Sequence, residues 1–325
     1  MRPYFYATAD SLTAATAHSA SDSAFLAGGT TLVDLMKLEV LTPRRVIDIN
    51  GLPLTGITVD NNGLRIGALE RMSDVAENQA VRQNYRLISQ ALELSASPQL
   101  RNMASMGGNL LQRTRCSYFR DPSMPCNKRD PGTGCPAIQG YNRTHAVLGT
   151  SDACVATHAS DVAVALVASE ASIDLRSSRG ERSVPLEQFY RRPEATPEVE
   201  NELNDGELIT AITAPALPAS TRTGYLKVRD RQSYEFALTS VAAAITLRGN
   251  VIARARLAAG GVATVPWRLP EVENLLTNRP VTAVTVEAAA AAAATDARPL
   301  SHNGFKPHLL RRAIVRALTD LLELR

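Results

Sequence analysis

The residues best suited to chemistry in this chain are its four cysteines, which lie close together. Cys116, Cys126, Cys135 and Cys154 are separated by 9, 8 and 18 residues, and the 325-residue sequence has no other cysteine. The sequence between them is rich in proline and glycine, which interrupt helices and strands. Long irregular loops in compact proteins are usually functional or disordered. Four thiolates that bind a metal centre would order such a loop.

Three other interpretations of the cysteines stay open on the residues alone. Two disulfides are typical of small secreted domains, whereas this chain is long enough to bury a core of its own. A structural zinc site usually has paired cysteines about two to four residues apart, and that spacing is absent here. Free buried cysteines are the third interpretation. A cubane iron–sulfur cluster accepts irregular spacing, because each iron binds one thiolate from any direction.

The composition is that of an ordinary globular protein. The chain is 45% hydrophobic and 21% charged, and its formal net charge of +3 is too small to indicate nucleic-acid binding. The N-terminal stretch lacks the apolar core of a signal peptide, and no stretch approaches the roughly 18 apolar residues of a membrane span. We therefore expect the chain to fold in the cytoplasm, where thiols stay reduced.

Two glycine-rich turns predict a phosphate-bearing ligand. The first loop (residues 27–32, AGGTTL) follows a short strand and precedes an apolar helix, so its backbone can approach a ligand closely and its free amides suit a phosphate. The second loop (residues 104–109, ASMGGN) repeats the small residues and adds an amide. The first loop alone is weak evidence for a nucleotide site, because it lacks the G-x-G-x-x-G spacing of the dinucleotide-binding fold. A plain strand–turn–helix with a glycine turn is the alternative.

A third loop (residues 158–161, HASD) comes just after the last cysteine. Ser160 is predicted to cap a helix that begins at Asp161, where an acidic side chain suits the helix dipole. His158 precedes this cap, and we expect it to be a capping or packing group rather than a ligand.

The chain divides at a polar, proline-containing linker at residues 217–224. Its C-terminal third places three strands before its helices, which is typical of an α+β domain. We predict a first domain at 1–218, which contains the cysteine loop at 113–154, and a second domain at 222–325.

These motifs together resemble those of a known family. The three loops and the segment KVRDRQSYEFALTSVAA at 227–243 are similar to motifs of the FAD-binding medium subunit of the molybdenum hydroxylases, the xanthine dehydrogenase and carbon monoxide dehydrogenase flavoprotein family. Ser105 and Met106 stand where that family usually has Thr and Ile. The cysteine loop resembles one in the aldehyde oxidoreductase and 4-hydroxybenzoyl-CoA reductase branches, where it binds a 4Fe–4S cluster.

The resemblance implies an α+β fold, with a two-part FAD-binding domain of the vanillyl-alcohol-oxidase-like (PCMH) type before the smaller domain. It implies FAD and a 4Fe–4S cluster as cofactors of an electron-transfer subunit in a heterotrimeric molybdenum-dependent aldehyde oxidoreductase. Substrate oxidation would occur on a molybdenum-cofactor-binding large subunit. Electrons would pass through a 2Fe–2S small subunit to this flavin and on to an external acceptor. A 4-hydroxybenzoyl-CoA-reductase-like complex and a non-redox protein with a zinc loop are the alternatives.

The resemblance also assigns site residues. FAD contacts are expected from Ala27, Gly28, Gly29, Thr30, Thr31, Leu32, Ser105, Gly107, Gly108, Asn109, Asp161 and Lys227, and cluster ligands from Cys116, Cys126, Cys135 and Cys154. No catalytic residue is expected in this chain, because the flavin carries the redox chemistry. The expected location is the periplasm, reached by export of the folded chain with a signal-bearing partner, and the cytoplasm is the alternative.

The cysteine loop is also locally basic. Its cations are Arg113, Arg115, Arg120, Lys128 and Arg129. A basic rim can steer an acidic partner, so we predict that this loop forms part of the interface with the electron-donating subunit. The alternative is that these side chains offset the negative charge of a thiolate-ligated cluster.

Overall fold

A parallel sheet of three short strands forms the first subdomain. The computed structural model describes residues 1–17 and 22–324. Its first elements are β1 (Phe5–Thr8), α1 (Leu12–Ala17), β2 (Ser23–Leu26), α2 (Leu32–Lys37) and β3 (Arg45–Asp48). The central strand β3 pairs with β1 on one side and with β2 on the other, both in parallel. Parallel neighbours need a crossover connection, and α2 supplies it between β2 and β3 directly after the first loop.

An antiparallel sheet of five strands forms the second subdomain. Its strands are β4 (Ile57–Asp60), β5 (Gly63–Gly67), β6 (Ser172–Ser177), β7 (Gly180–Pro185) and β8 (Leu208–Pro215). Their order is β4-β5-β8-β6-β7, and every pairing is antiparallel. The central strand β8 therefore comes last in the sequence. The three loops (the second loop, the cysteine loop and the third loop) lie in the long segment between β5 and β6.

Most of the helices of the first domain lie between β5 and β6. They are α3 (Met72–Glu77), α4 (Gln79–Asn84), α5 (Arg86–Glu93), α6 (Pro98–Met103), α7 (Met106–Leu110), α8 (Ser117–Arg120) and α9 (Asp161–Ala168), and α10 (Leu186–Phe189) follows β7. Every residue of α9 is buried, which makes it the centre of the main core. Burying one large aliphatic side chain stabilises the fold by about 1.5–3 kcal/mol. The start of α9, and with it the third loop, is therefore held rigidly.

The cysteine loop has little regular structure apart from α8 and a single 3-10 turn at Pro136–Ile138. It is nevertheless anchored to the first subdomain, because Phe119 and Cys126 are buried in one cluster with Leu35 of α2. This apolar contact joins the cysteine loop to the helix that follows the first loop.

An antiparallel sheet and three helices form the C-terminal domain. Its elements are β9 (Thr221–Val228), β10 (Thr239–Arg248), β11 (Val251–Gly260), β12 (Trp267–Arg268), α11 (Pro270–Leu276), α12 (Ala283–Ala290) and α13 (Lys306–Leu322). The three predicted strands are the long ones, and a two-residue edge strand, β12, adds a fourth. The sheet order is β12-β11-β10-β9. Because β9 begins at Thr221, it takes up the end of the segment predicted as a linker.

Ion pairs tie the C-terminal domain to the first domain. Glu170, which follows α9, lies 2.7 Å from Arg254 and 2.8 Å from Arg256 of β11. These pairs are partly exposed, so each contributes little on its own, and the apolar contacts of α9 with β10 and β11 carry the interface. None of the helices within residues 1–17 and 22–324 is both long and apolar enough to cross a membrane.

Candidate functional site

The first loop is held by a close approach to the chain that enters the second loop. A Cβ atom built on Gly28 would lie 1.9 Å from the carbonyl oxygen of Met103, a separation that only glycine permits. Gly29 has a φ of +71°, in the left-handed region that favours glycine. The two positions therefore require glycine for different reasons: Gly28 allows the first and second loops to approach each other, and Gly29 adopts a left-handed backbone conformation.

A polar bridge that the sequence did not reveal supports this approach. The side-chain amide of Asn50 donates to the carbonyl of Ala27 at 3.0 Å. Arg71 in turn donates to the Asn50 side-chain oxygen at 3.1 Å and to the Met103 carbonyl at 2.6 Å. Neither residue lies in a recognisable motif, so only the fold shows that they position the first loop.

The first loop presents amide groups that are available to a ligand. Within the described residues 1–17 and 22–324, the backbone N–H groups of Gly29, Thr30 and Thr31 have no protein acceptor. Thr31 also stands at the start of α2 without making a side-chain cap. Successive free amides at a turn form an anion-binding nest, which suits a pyrophosphate. Ala27, the first residue after β2, and Leu32, the first residue of α2, flank this nest.

The second loop is ordered by its own serine. The Ser105 hydroxyl caps α7 and accepts from the amide of Gly108 at 3.2 Å. The amide of Gly107 donates to the carbonyl of Ala68 at 2.8 Å, which fixes the loop against the end of β5. Ser105 thus keeps the hydroxyl function of the Thr that the family usually has, and it uses that hydroxyl as a helix cap.

Asn109 connects the second loop to the third. Its side-chain oxygen accepts from the Ser160 hydroxyl at 2.6 Å, and Ser160 itself caps α9 by accepting from the amide of Ala163 at 3.1 Å. The predicted cap at Ser160 is therefore present, and the second loop lies between the other two. His158 packs edge-on against Tyr190 and accepts from the Ser160 amide, as expected for a packing and capping group.

Asp161 and Lys227 form a buried ion pair between the two domains. Their charged atoms are 2.8 Å apart, and the side chains are 7% and 1% exposed. The Tyr225 hydroxyl donates to the other Asp161 oxygen at 2.7 Å, and Ser95, which follows α5, donates at 3.3 Å to the oxygen that binds Lys227. Both predicted residues therefore lie together, but their charges are compensated by the protein itself. Tyr225 and Ser95 carry no motif signal, and the tertiary structure alone reveals them.

The four cysteines line one small, almost wholly apolar cavity. All four are free thiols, and Cys126 and Cys154 are buried. Within residues 1–17 and 22–324, no three His, Cys, Asp or Glu side chains are grouped closely enough to hold a single metal ion. Ligands of a cluster lie farther apart than ligands of one ion, because each thiolate binds a different iron. The four cysteines that the resemblance assigns as ligands thus lie together at one cavity.

Backbone amides point at the cysteine sulfurs. Burial raises the pKa of Cys116 to about 12, although the amides of Phe119 and Tyr118 favour its thiolate. Burial likewise raises the pKa of Cys154, which the nearby charge of Lys128 partly opposes. Metal binding would therefore have to supply the free energy of deprotonation, and the amide donors are placed to stabilise the resulting thiolates.

A histidine contacts one of these sulfurs. His145 Nε2 lies 3.2 Å from the Cys116 sulfur, and burial lowers the pKa of His145 to about 4, with a smaller contribution from the charge of Lys306. The imidazole is therefore neutral at pH 7. His145 and Cys116 also line a cavity of about 170 Å³ together with Ser160 and Asp161. The cysteine cavity and the third loop thus face a common space.

The basic residues of the cysteine loop differ from the predicted rim. Arg115 and Arg120 both bind Asp34 of α2, at 3.2 and 2.6 Å, and so tie the cysteine loop to the first loop. The sequence could not reveal this because Asp34 precedes these two arginines by 81 and 86 residues.

The other three cations also have internal acceptors. Arg113 and Lys128 bind Glu200, with Lys128 Nζ 2.9 Å from the carboxylate. Arg129 donates to the carbonyl of Phe119 at 2.6 Å. Each of these five cations thus has an acceptor within the described chain and helps to order the loop, and the predicted interface role stays a prediction.

Comparison with known proteins agrees with this geometry. Residues 2–217 match the family described as the FAD binding domain in molybdopterin dehydrogenase, and residues 224–321 match the CO dehydrogenase flavoprotein C-terminal domain. The chain belongs to this family of FAD-binding subunits. It is accordingly an oxidoreductase subunit that binds FAD, and the family predicted from the loops is confirmed.

Two curated relatives are similar over nearly their whole length. The chain is 46% identical over 298 residues to the aldehyde oxidoreductase FAD-binding subunit PaoB of Escherichia coli strain K12, covering 91% of this chain and 90% of that one. It is 32% identical over 297 residues to the glyceraldehyde dehydrogenase medium chain of Sulfolobus acidocaldarius, covering 90% and 87%.

Solved structures share the fold. The chain matches a structure of carbon monoxide dehydrogenase from Hydrogenophaga pseudoflava with a TM-score of 0.77 and 24% identity, covering 99% of this chain and 98% of that one. The predicted α+β architecture, with an FAD-binding domain followed by a C-terminal domain, is confirmed.

Proposed function

We propose that the chain is the electron-transfer flavoprotein subunit of a heterotrimeric, molybdenum-dependent aldehyde oxidoreductase. The observation that carries this proposal is the 46% identity with the Escherichia coli aldehyde oxidoreductase subunit over 91% of the chain. The Sulfolobus relative is also named for an aldehyde, glyceraldehyde. No observation favours a 4-hydroxybenzoyl-CoA-reductase-like complex.

The residues of this chain bind and orient FAD, and FAD supplies the electron-transfer chemistry when bound. The free amides of Gly29, Thr30 and Thr31 would donate to the pyrophosphate. Ser105 and Asn109 keep the second loop in place through the capping bonds described above. Aldehyde oxidation then belongs to a molybdenum-cofactor-binding large subunit, and a 2Fe–2S small subunit would deliver the electrons. An external acceptor would remove them from the flavin.

The four cysteines would hold a 4Fe–4S cluster within this chain. Two features support this assignment: the four cysteines line a single cavity, and backbone amides are directed at the sulfurs. Donors of this kind stabilise the negative charge of a thiolate-ligated cluster.

The cluster assignment is tested by iron and FAD analysis of the purified complex. The wild type should contain FAD and four cluster irons in this subunit, with a broad brown absorption beside the yellow flavin bands. Cys126→Ser should lose that iron, because the cavity then lacks one thiolate. Met124→Ala is a matched control in the same loop, since the Met124 side chain is 41% exposed. Full iron in the Cys126 variant, or zinc in the wild type, contradicts the assignment.

The subunit role is tested by reconstitution. The isolated chain should carry FAD but should not oxidise aldehydes, and activity with an artificial electron acceptor should appear when the large and small subunits are added. Aldehyde oxidation by the isolated chain would exclude an electron-transfer role. Turnover of aromatic acyl-CoA thioesters by the complex, without aldehyde oxidation, would favour the reductase alternative.

The location stays a prediction. We propose the periplasm, reached by export of the assembled complex through a signal on a partner subunit. Cell fractionation with and without that signal tests this. The subunit should move from the periplasmic to the cytoplasmic fraction when the signal is deleted, and an unchanged cytoplasmic location in both strains would reject export.

A further inference from the structure

The Cys116 sulfur has a neighbour that the other cysteines lack. His145 Nε2 lies 3.2 Å from it, and the histidine is 4% exposed. The other hydrogen bonds to cysteine sulfurs among residues 1–17 and 22–324 come from backbone amides, such as that of Ala156, which donates to Cys154 at 3.5 Å. Among the described cysteines, Cys116 thus differs in having a side chain, that of His145, as a possible hydrogen-bond donor to its sulfur.

The imidazole of His145 is positioned by both domains. Its backbone amide donates to the carbonyl of Asn142 at 3.0 Å, and its own carbonyl accepts from the side-chain amide of Asn303 at 3.3 Å. Asn303 belongs to the C-terminal domain, just before α13. The Tyr118 ring packs against the imidazole with centroids 6.2 Å apart. These bonds fix the backbone of His145, and Tyr118 packs beside the ring that contacts the sulfur.

The bond direction follows from the chemistry of the two groups. A thiolate that binds iron can only accept a hydrogen bond, so Nε2 must carry the proton. A neutral imidazole has one N–H group, and Nδ1 of His145 has no partner among the described residues. The single N–H group of this buried ring therefore donates its hydrogen bond to the cysteine sulfur.

We propose that His145 is a positioning residue that donates an N–H···S hydrogen bond to cluster-bound Cys116 and thereby raises the reduction potential of the cluster. The inference rests on the cluster proposed above. One-electron reduction adds negative charge to the cluster and its sulfurs, and a donor at a ligand sulfur stabilises the reduced form more than the oxidised form. His145 and Cys116 line one cavity with Ser160 and Asp161, so this contact lies beside the third loop.

Two variants separate the hydrogen bond from the bulk of the ring. His145→Leu fills the site but has no donor, whereas His145→Gln keeps an N–H group near the position of Nε2. In the intact complex, a redox titration followed by electron paramagnetic resonance should show a lower cluster midpoint potential for His145→Leu. His145→Gln should restore most of the wild-type potential, and iron and FAD contents should match the wild type in both.

A measurement on the wild type does not depend on variant folding. With selectively ¹⁵N-labelled histidine, the reduced cluster should show a weak nitrogen coupling in pulsed resonance spectra, and His145→Gln should abolish it. An absent coupling in the wild type, or equal potentials in wild type and His145→Leu with iron retained, overturns the role of His145. A wild-type complex without a 4Fe–4S signal instead refutes the proposed cluster, so the two failures are distinguishable.

Discussion

Gly28 offers the sharpest test of how the first loop is built. In Gly28→Ala, the new methyl carbon would lie 1.9 Å from the Met103 carbonyl oxygen, 2.7 Å from its carbon and 2.9 Å from the Ala104 Cα. All three atoms belong to the backbone, so no side-chain rotation can relieve the clash. An ordinary contact begins near 3.4 Å, and the two segments would have to separate by 3.4 − 1.9 = 1.5 Å.

The cost of this separation falls on both stability and cofactor binding. Overpacking a well-packed site typically costs about 1–3 kcal/mol, and a backbone clash belongs at the upper end. The movement would also strain the bridge from Arg71 through Asn50, whose two hydrogen bonds span the same gap. If half of the cost appears in binding, the affinity for FAD falls by about tenfold, because each 1.4 kcal/mol is a factor of ten.

The assay is the FAD content of the purified complex together with its melting temperature and an FAD titration of the stripped protein. Gly51→Ala is the matched control, because a Cβ there has nothing within 4 Å. We expect the control to keep its FAD and its melting temperature, and Gly28→Ala to lose both. Full FAD occupancy and an unchanged melting temperature in Gly28→Ala would refute the reasoning.

Three further predictions use other contacts of the same structure. Asp161→Asn should destabilise the fold by about 3–5 kcal/mol in urea unfolding, because it leaves the buried Lys227 charge unpaired, and adding Lys227→Met should recover much of the loss. Burial, helped by the charge of Arg143, lowers the pKa of Lys306 from 10.5 to about 7, so between these pH values the unfolded chain binds a proton that the folded chain does not. The free energy of unfolding should therefore rise with pH from 7 to 10.5, by up to about 5 kcal/mol. A Lys306→Met variant that keeps this pH dependence would contradict the prediction. Asp34→Asn should cost less than about 1 kcal/mol, because its ion pairs are partly exposed, but limited proteolysis should cut the cysteine loop faster than in the wild type.

Motifs that act through backbone geometry could be predicted from the sequence. A glycine that must allow a close approach, a serine that caps a helix and a group of cysteines each depend on residue type and local spacing. The predicted cap at Ser160 and the gathering of the four cysteines around one cavity follow this rule. The same holds for the three long strands of the C-terminal domain, whose apolar runs are bounded by turn signals.

Contacts between distant segments could not be predicted in this way. The five cations of the cysteine loop predicted a free basic rim, yet two of them bind Asp34 and two bind Glu200. The Asp161 carboxylate is likewise occupied by Lys227 and Tyr225 from the other domain. A single sequence does not say which acid a long basic side chain will reach, since that depends on how the subdomains pack.

The sequence by itself determined the family, the candidate FAD-binding loops and the candidate ligands of a cluster, because these are carried by residue types at short spacing. Only the tertiary structure decided that the second loop lies between the other two, through Gly28 on one side and Asn109 on the other. It alone brought His145 within hydrogen-bond distance of Cys116, because Asn303 of the C-terminal domain helps to hold it there. Such contacts arise when separate segments pack into one core, and no local pattern encodes them.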